Sequence, residues 1–256
     1  MWLDRLSMLR LFQRRPAAPA VSEIEIAHAG ETYRVALKRM AAARRYTLRV
    51  RAASRDVLLT MPARSSLKSA REFAERNAAW IGVRLARLPQ PVAFVHGAAA
   101  PLRGVEHRIV HRPDARGVVW VEASGDGPLL CVSGDAPHVA RRIGDFFKRE
   151  ARRDLEAAVA RHSGQLGLPP PRVSLRDTSS RWGSCSSRGT LNFSWRLIFT
   201  PPWVLDYLAA HEVAHLRHMN HSPAFWKTAR GLFAEVERAE AWLKAHGASL
   251  HRFGAA

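Results

Sequence analysis

Apolar and polar residues alternate along residues 22–61 in four short runs, a pattern typical of half-buried β-strands. The apolar positions are Ile24 and Ile26, then Tyr33, Val35 and Leu37, then Tyr46, Leu48 and Val50, and finally Val57, Leu59 and Met61. Ala29-Gly30 and residues 54–56 supply turn signals, and the basic stretch 38–45 is expected to be an exposed connection. Four strands are therefore predicted near the start of the chain.

The spacing of apolar residues changes to three and four between residues 65 and 88, which predicts a helix with one apolar face. Further along, short runs at 92–96, 105–111, 117–122 and 128–132 are expected to be strands, and a second long helix is predicted at 136–163. The remaining predicted elements are a stiff linker at 167–171, a strand at 172–177, a Ser- and Gly-rich loop at 178–189, a strand at 190–199 and helices at about 202–219, 222–231 and 234–246.

These elements predict an α+β fold in three parts. Residues 1–21 are expected to be a flexible or weakly amphipathic tail, residues 22–134 a strand-rich α+β portion, and residues 135–256 a mostly helical domain. With 47% hydrophobic residues the chain can form a sizeable core, which excludes a wholly disordered protein. No apolar run approaches the roughly 20 residues needed to cross a bilayer, which excludes an integral membrane protein of the helical type.

Two cysteines, Cys131 and Cys185, form no CxxC pair, so neither a disulfide scaffold nor a cysteine zinc site is indicated. A reducing compartment, and hence a cytoplasmic location, is expected. The formal net charge is +18, of which +11 lies in residues 1–100 and +1 in residues 201–256. Two interpretations stay open: the N-terminal portion attracts an acidic partner such as nucleic acid or a nucleotide, or the many arginines reflect compositional bias. The oligomeric state is not indicated.

The predicted helix at 202–219 contains the pattern His-Glu-x-x-His at residues 211–215. Residues four apart lie on the same helix face, so His211 and His215 can converge on one ion at about 2.0–2.1 Å. Glu212, beside the first histidine, can reach a water molecule and take its proton. The spacing therefore predicts one catalytic zinc ion per chain, with Glu212 as general base.

A catalytic zinc ion needs a third protein ligand, for which His221 is the favoured residue. The adjoining Ser222-Pro223 pair predicts the start of a new helix, with Ser222 as N-cap, and therefore a turn that brings His221 back. Glu235, about twenty residues past the motif, is a rival. His218 is a weaker one, because on a continuous helix it would lie about 10 Å along the axis from His211.

The run HEVAHLRHMNHSPAFW at 211–226, preceded by RWGSCSSRGTLNFSWRLIFTPPWVLDYLAA at 181–210, resembles the YgjP-like metallopeptidase family, which is related in its zinc motif to SprT-type and other zincin-like proteases. The similarity extends over roughly 33–246. The resemblance implies a zincin-like metallopeptidase domain, with His211, His215 and His221 as zinc ligands and Glu212 as general base. It implies the reaction class better than the substrate.

In this frame the strand at 190–199 is expected to be an edge strand beside the metal helix that receives an extended peptide. Residues proposed to line the cleft are Arg181, Trp182, Ser184, Cys185 and Arg196, and an arginine there could stabilise an oxyanion. The alternative is that Trp182 and Trp195 are core aromatics. Groups considered for holding the metal-bound histidines are Asp206, Tyr207 and Asn220.

The sequence thus predicts a zinc-dependent metallopeptidase that acts on a peptide or protein. Two other functions stay open: hydrolysis of a nucleotide or other phosphate substrate, favoured by the arginine excess, and a nucleic-acid-associated module with a structural zinc.

Overall fold

A computed structural model describes residues 22–51, 55–178 and 181–254. The predicted tail at 1–21 lies outside these residues. The described residues form an α+β fold with a strand-rich N-terminal part. The strands are β1 (Glu23–His28), β2 (Glu31–Met40), β3 (Thr47–Val50), β4 (Val57–Pro62), β5 (Ala99–Leu102), β6 (Val105–His111), β7 (Val119–Glu122), β8 (Leu129–Val132), β9 (Val173–Arg176), β10 (Gly183–Cys185) and β11 (Leu191–Ser194). The helices are α1 (Leu67–Arg76), α2 (Ala78–Ala86), α3 (Val139–Gln165), α4 (Pro202–Ala214), α5 (Pro223–Leu232) and α6 (Val236–Leu250).

The chain packs as two compact units, the first formed by residues 22–49 and 56–81 and the second by residues 50, 51, 55 and 82–254. The predicted boundary between residues 134 and 135 falls inside the second unit and stays a prediction about the limits of the functional domain. Among the described helices, none is both long and apolar enough to cross a membrane.

The first unit contains a four-stranded sheet in the order β1-β2-β4-β3, which confirms the four predicted strands. β1 and β2 form an antiparallel hairpin, and Ala29 (φ 50°) and Gly30 (φ 83°) provide the two positive φ angles that a tight two-residue turn requires. Alternate apolar residues along the strands, among them Ile24, Val35 and Leu59, are buried. The period of two in the sequence therefore identifies the inner face of this sheet.

The single helix predicted at 65–88 is interrupted at Asn77, where α1 ends before α2 begins. The Asn77 side-chain nitrogen donates to the carbonyl of Phe73 at 2.7 Å, and its backbone N–H donates to the carbonyl of Ala74 at 3.1 Å. An asparagine side chain competes in this way with the backbone for helix carbonyls. Apolar periodicity continues through such a break and so does not reveal it.

The second unit contains a sheet in the order β5-β6-β8-β7 that packs with α3 around Ile109, Leu130, Ile143 and Phe147. The strand predicted at 92–96 is absent from the described residues, where Val92 forms only one isolated bridge to Phe253. β5 was not predicted, because its sequence AAPL lacks β-branched residues. It lies at the sheet edge, where a proline is tolerated.

A three-stranded sheet, β10-β11-β9, adjoins α4 in the same unit. The predicted strand at 190–199 ends at Ser194, and Trp195–Phe199 form a 3-10 helix whose residues are all buried. Alternation is lost at Leu197-Ile198-Phe199, which cannot all point to one side of a strand. The expectation that this strand is an exposed edge is wrong, since β11 is the central strand and β10 is the edge beside α4.

Candidate metal centre

Helix α4 carries His211 and Glu212 in its last turn and ends at Ala214, five residues before the predicted end at 219. After the helix, backbone hydrogen bonds join residues three apart instead of four apart. The Arg217 N–H, for example, donates to the Ala214 carbonyl at 3.1 Å. His215 is the C-cap residue, and its Nδ1 lies 3.0 Å from the carbonyl oxygen of His218. This contact fixes the turn that leads the chain away from the helix axis.

Helix α5 begins directly after this turn. The Ser222 hydroxyl accepts a hydrogen bond from the Phe225 N–H at 3.4 Å, and Pro223 occupies the first turn. The predicted N-cap is thereby confirmed. Since a capped helix start fixes the direction of the chain that enters it, His221 is held beside the end of α4.

The ring nitrogens of three histidines converge at this point, with one nitrogen each of His211, His215 and His221 within 4.8 Å of one another. The Nε2 atoms of His211 and His221 are 3.1 Å apart, close to the ~3.3 Å separation of two nitrogens on a tetrahedral zinc ion. His215 is buried, His211 half-buried and His221 exposed, so the cluster opens to solvent on one side.

The two rival ligands lie outside this cluster of described residues. The His218 side chain is not part of it, although the His218 carbonyl orients His215. Glu235 precedes α6 and forms an ion pair with Arg238.

Hydrogen bonds set the tautomers of two of the three rings. A carbonyl oxygen only accepts, so His215 Nδ1 carries the proton and its Nε2 keeps a lone pair. The Tyr207 hydroxyl donates to Glu240 at 2.9 Å, and its oxygen lies 3.4 Å from His211 Nδ1, which donates to it. His211 Nε2 therefore also keeps a lone pair towards the cluster. Asp206, considered from the sequence for this role, instead accepts from His162 at 2.6 Å.

Burial favours the neutral form of His211 and His215. Burial and the neighbouring His215 and His221 together lower the pKa of His211 to about 4, with burial the largest cause. The pKa of His215 is also lowered, first by burial. Neutral imidazole is the form that binds a metal ion, so little proton release is required at neutral pH.

An aromatic wall supports the three rings from α5. The buried Phe225 has its ring centroid 5.0 Å from that of His211, 4.4 Å from that of His215 and 4.8 Å from that of His221. Trp226 stacks on His221 at 5.6 Å. This wall limits ring rotation and shields one side of the cluster from water.

Glu212 is 4% exposed, and its Oε2 has no hydrogen-bond partner among the described residues. Burial raises the pKa of Glu212 to about 7, against the opposing charge of Arg181. β10 approaches this side chain closely, because a Cβ added to Gly183 would lie 2.7 Å from Glu212 Cγ. An orphaned carboxylate beside three imidazoles with free lone pairs fits a zinc ion bound by nitrogen ligands.

The other proposed cleft residues divide between the site and the core. Arg181 acts electrostatically on Glu212, and burial raises the pKa of the Cys185 thiol, with Glu212 adding to the effect. Trp182 stacks on His251 at 5.1 Å. Arg196 is buried, pairs with Asp177 at 2.7 Å and donates to the Phe253 carbonyl at 2.6 Å. These contacts give Arg196 a structural role and argue against the predicted oxyanion role for it.

Gly183, Glu240 and Phe225 were not predicted as parts of this centre. Gly183 lies in the segment predicted as a Ser- and Gly-rich loop, where a glycine is expected in a turn. Glu240 lies 33 positions from Tyr207, which it contacts. Only the tertiary packing reveals the positions of Gly183 and Glu240. In contrast, the aromatic pair directly after Ser222-Pro223 could have been identified, because the first turn of α5 must face His221.

The chain is similar to a known protein family. Residues 44–246 match the family model described as YgjP-like, metallopeptidase domain. Among solved structures, the chain is similar to the metallopeptidase zymogen abylysin of Pyrococcus abyssi, at 23% identity and a TM-score of 0.34 over 39% of this chain and 97% of that one. The zymogen jannalysin of Methanocaldococcus jannaschii matches at 21% identity and a TM-score of 0.31, over 36% and 94%. No curated protein matches the sequence.

Proposed function

The chain belongs to the YgjP-like metallopeptidase family, and from this premise we propose that it is a zinc-dependent peptidase with one zinc ion per chain. The proposed ligands are His211, His215 and His221, and the proposed general base is Glu212. The observation that carries the proposal is the convergence of the three ring nitrogens within 4.8 Å, with the buried Glu212 next to His211 in the last turn of α4. Three protein ligands leave one position open, as catalytic zinc sites require.

A bound zinc ion supplies Lewis-acid chemistry, because it polarises a carbonyl group and increases the acidity of water. Glu212 then takes the proton of the attacking water on its carboxylate and delivers it to the leaving nitrogen of the peptide. Burial raises the pKa of Glu212 above that of an ordinary glutamate, which favours the return of the proton, and the charge of a zinc ion would favour the carboxylate that accepts it. The positive charge of Arg181 favours the ionised form, which is the form that accepts the proton.

The peptide itself is proposed to lie along β10, the edge strand beside α4. In the described part of the chain β10 pairs with β11 on one side only. Its other side can hydrogen bond an extended substrate through backbone groups. This assignment replaces the predicted strand at 190–199, whose β11 portion is fully paired.

Glu212→Gln tests the proposed chemistry. This variant is expected to keep about one zinc ion per chain and to lose peptide hydrolysis, since the amide cannot accept the proton. Metal analysis and cleavage of an unfolded protein substrate measure the two properties. If the zinc ion is only structural, Glu212→Gln should cleave the substrate as the wild type does. Hydrolysis of a nucleoside triphosphate, assayed in parallel, identifies the alternative phosphate hydrolase.

The third ligand is tested separately by zinc affinity in chelator competition. His221→Ala is expected to weaken zinc binding strongly, whereas Glu235→Ala and His218→Ala are expected to bind as the wild type does. The assignment of His221 is wrong if its alanine variant also binds like the wild type. A nucleic-acid or nucleotide partner for the N-terminal portion and a cytoplasmic location stay predictions.

A further inference from the structure

A cavity of about 740 Å³ lies in the second unit, between α3, the end of β9 and the 3-10 helix at Trp195–Phe199. Its volume is in the range of small-molecule sites, which is roughly 300–1,000 Å³. None of the proposed zinc ligands, nor Glu212, lines it. The cavity is therefore separate from the proposed metal centre.

Cationic side chains dominate the polar lining of this cavity. They are Arg141, Lys148, Arg149, Arg152, Arg176 and Arg196. Only two carboxylates, Asp145 and Asp177, face them. The lining thus carries an excess of positive charge, and apart from the buried Arg196 these cations are exposed, so their attraction for an anion is expected to weaken with salt.

Both carboxylates are already engaged by cations of the same lining. Asp177 accepts two hydrogen bonds from Arg196, at 2.7 and 3.2 Å. Asp145 accepts from Arg141 at 3.4 Å, and the Lys148 ammonium lies 3.8 Å from it. Two further cations, Arg149 and Arg176, have no carboxylate within 4.0 Å among the described residues. Arg149 lies over the Phe146 ring.

Gly144 leaves room for a ligand in this cavity. Gly144 lies in the interior of α3 and lines the cavity, although glycine is among the poorest helix formers. A Cβ at this position would meet no atom within 4 Å, so the packing of the chain itself does not require a glycine. The absent side chain keeps open a space that the protein does not fill.

The remaining wall is apolar and includes Phe94, Leu175 and Trp195. A ligand that satisfies both parts of the lining has an anionic group for the arginines and an apolar body for this wall. We propose that the cavity between α3 and β9 binds a small organic anion, with Arg149 and Arg176 as its charge partners. This proposal does not depend on the proposed peptidase activity.

Two aromatic anions test the proposal and show whether the cavity prefers a phosphate or a carboxylate group. Phenyl phosphate and benzene-1,3-dicarboxylate are titrated into the full chain by calorimetry, with benzyl alcohol as the neutral counterpart. At least one anion is expected to bind, more weakly at high salt, and the alcohol is not. Absence of binding by both anions overturns the proposal.

Variants locate the binding. Arg149→Gln and Arg176→Gln are each expected to lower the affinity for the anion about tenfold, the effect of losing one charge-assisted hydrogen bond. Gly144→Leu is expected to abolish binding, because its side chain fills the space. Arg116→Gln removes the same charge from an exposed turn and should bind as the wild type does.

His221→Ala should also bind normally, because its ring belongs to the other site. Equal loss in Arg116→Gln, normal binding by the two arginine variants, or loss in His221→Ala overturns the proposal. Melting curves of each variant show that it is folded, and the arginine variants decide the question even if Gly144→Leu is not.

Discussion

Replacing Gly183 by alanine is expected to separate catalysis from zinc binding. A Cβ at this position of β10 would lie 2.7 Å from Cγ and 2.8 Å from Cδ of Glu212. Ordinary contacts between carbon atoms are about 3.5–4.0 Å. Because Glu212 is only 4% exposed, its carboxylate cannot swing into solvent and must move by about 1 Å.

A displacement of this size has a predictable effect on the rate. Misplacing a reacting group by about 1 Å costs roughly 100-fold in rate. The backbone at Gly183 does not have a positive φ, so alanine fits the strand, and the smaller entropy of the unfolded chain contributes about 0.4–1 kcal/mol of stability. The three atoms nearest to the added Cβ all belong to Glu212. We therefore expect kcat to fall about 100-fold, with zinc affinity and thermal stability close to those of the wild type.

Peptide hydrolysis, chelator competition and thermal melting measure these three quantities on the same preparation. Gly125→Ala is the matched control, since its added methyl group would meet no atom within 4 Å. The reasoning is refuted if kcat of Gly183→Ala stays within threefold of the control. It is also refuted if zinc is lost together with activity, because the methyl group would then act on the ligands.

Three further results are expected. Tyr207→Phe and Glu240→Leu should each weaken zinc binding about 10–100-fold in chelator competition, because they remove the hydrogen bonds that orient His211; unchanged affinity contradicts this. Arg196→Gln should lower the free energy of unfolding by about 2–3 kcal/mol in denaturant titrations, whereas Arg181→Gln should lower kcat and leave stability unchanged. Cys185→Ser should keep its peptidase activity, since the raised pKa of the thiol argues against a thiolate nucleophile.

Elements with one solvated face could be predicted from the sequence. The alternation of Ile24 and Ile26, or of Val57 and Leu59, marks one buried face of a strand. Elements buried on all sides could not, because their apolar residues have no period. Trp195–Phe199 is such a case: its five residues are all buried, and only packing makes them a 3-10 helix instead of more strand.

The centre shows the same division. The four-residue spacing of His211 and His215 and the helix start at Ser222-Pro223 were sufficient to predict that three rings meet. The early end of α4 was not predictable, because it depends on a contact between the His215 ring and a backbone carbonyl. The role of Glu240 depends on how α6 packs against α4, which no local pattern records.

Arg196 illustrates why nearness to a motif does not assign a role. It precedes α4 by six positions, yet its guanidinium binds Asp177 and the carbonyl of Phe253. The chain from Asp177 then continues to Trp182, which stacks on His251, and directly to Gly183 beside Glu212. Asp177, through Arg196, and Trp182, through His251, are therefore each linked to residues near the C-terminal end of the chain. Arg196 thus links Asp177 to the C-terminal residues and has no contact with the proposed metal centre among the hydrogen bonds of the described residues, so its loss should reduce activity only as far as it unfolds the chain.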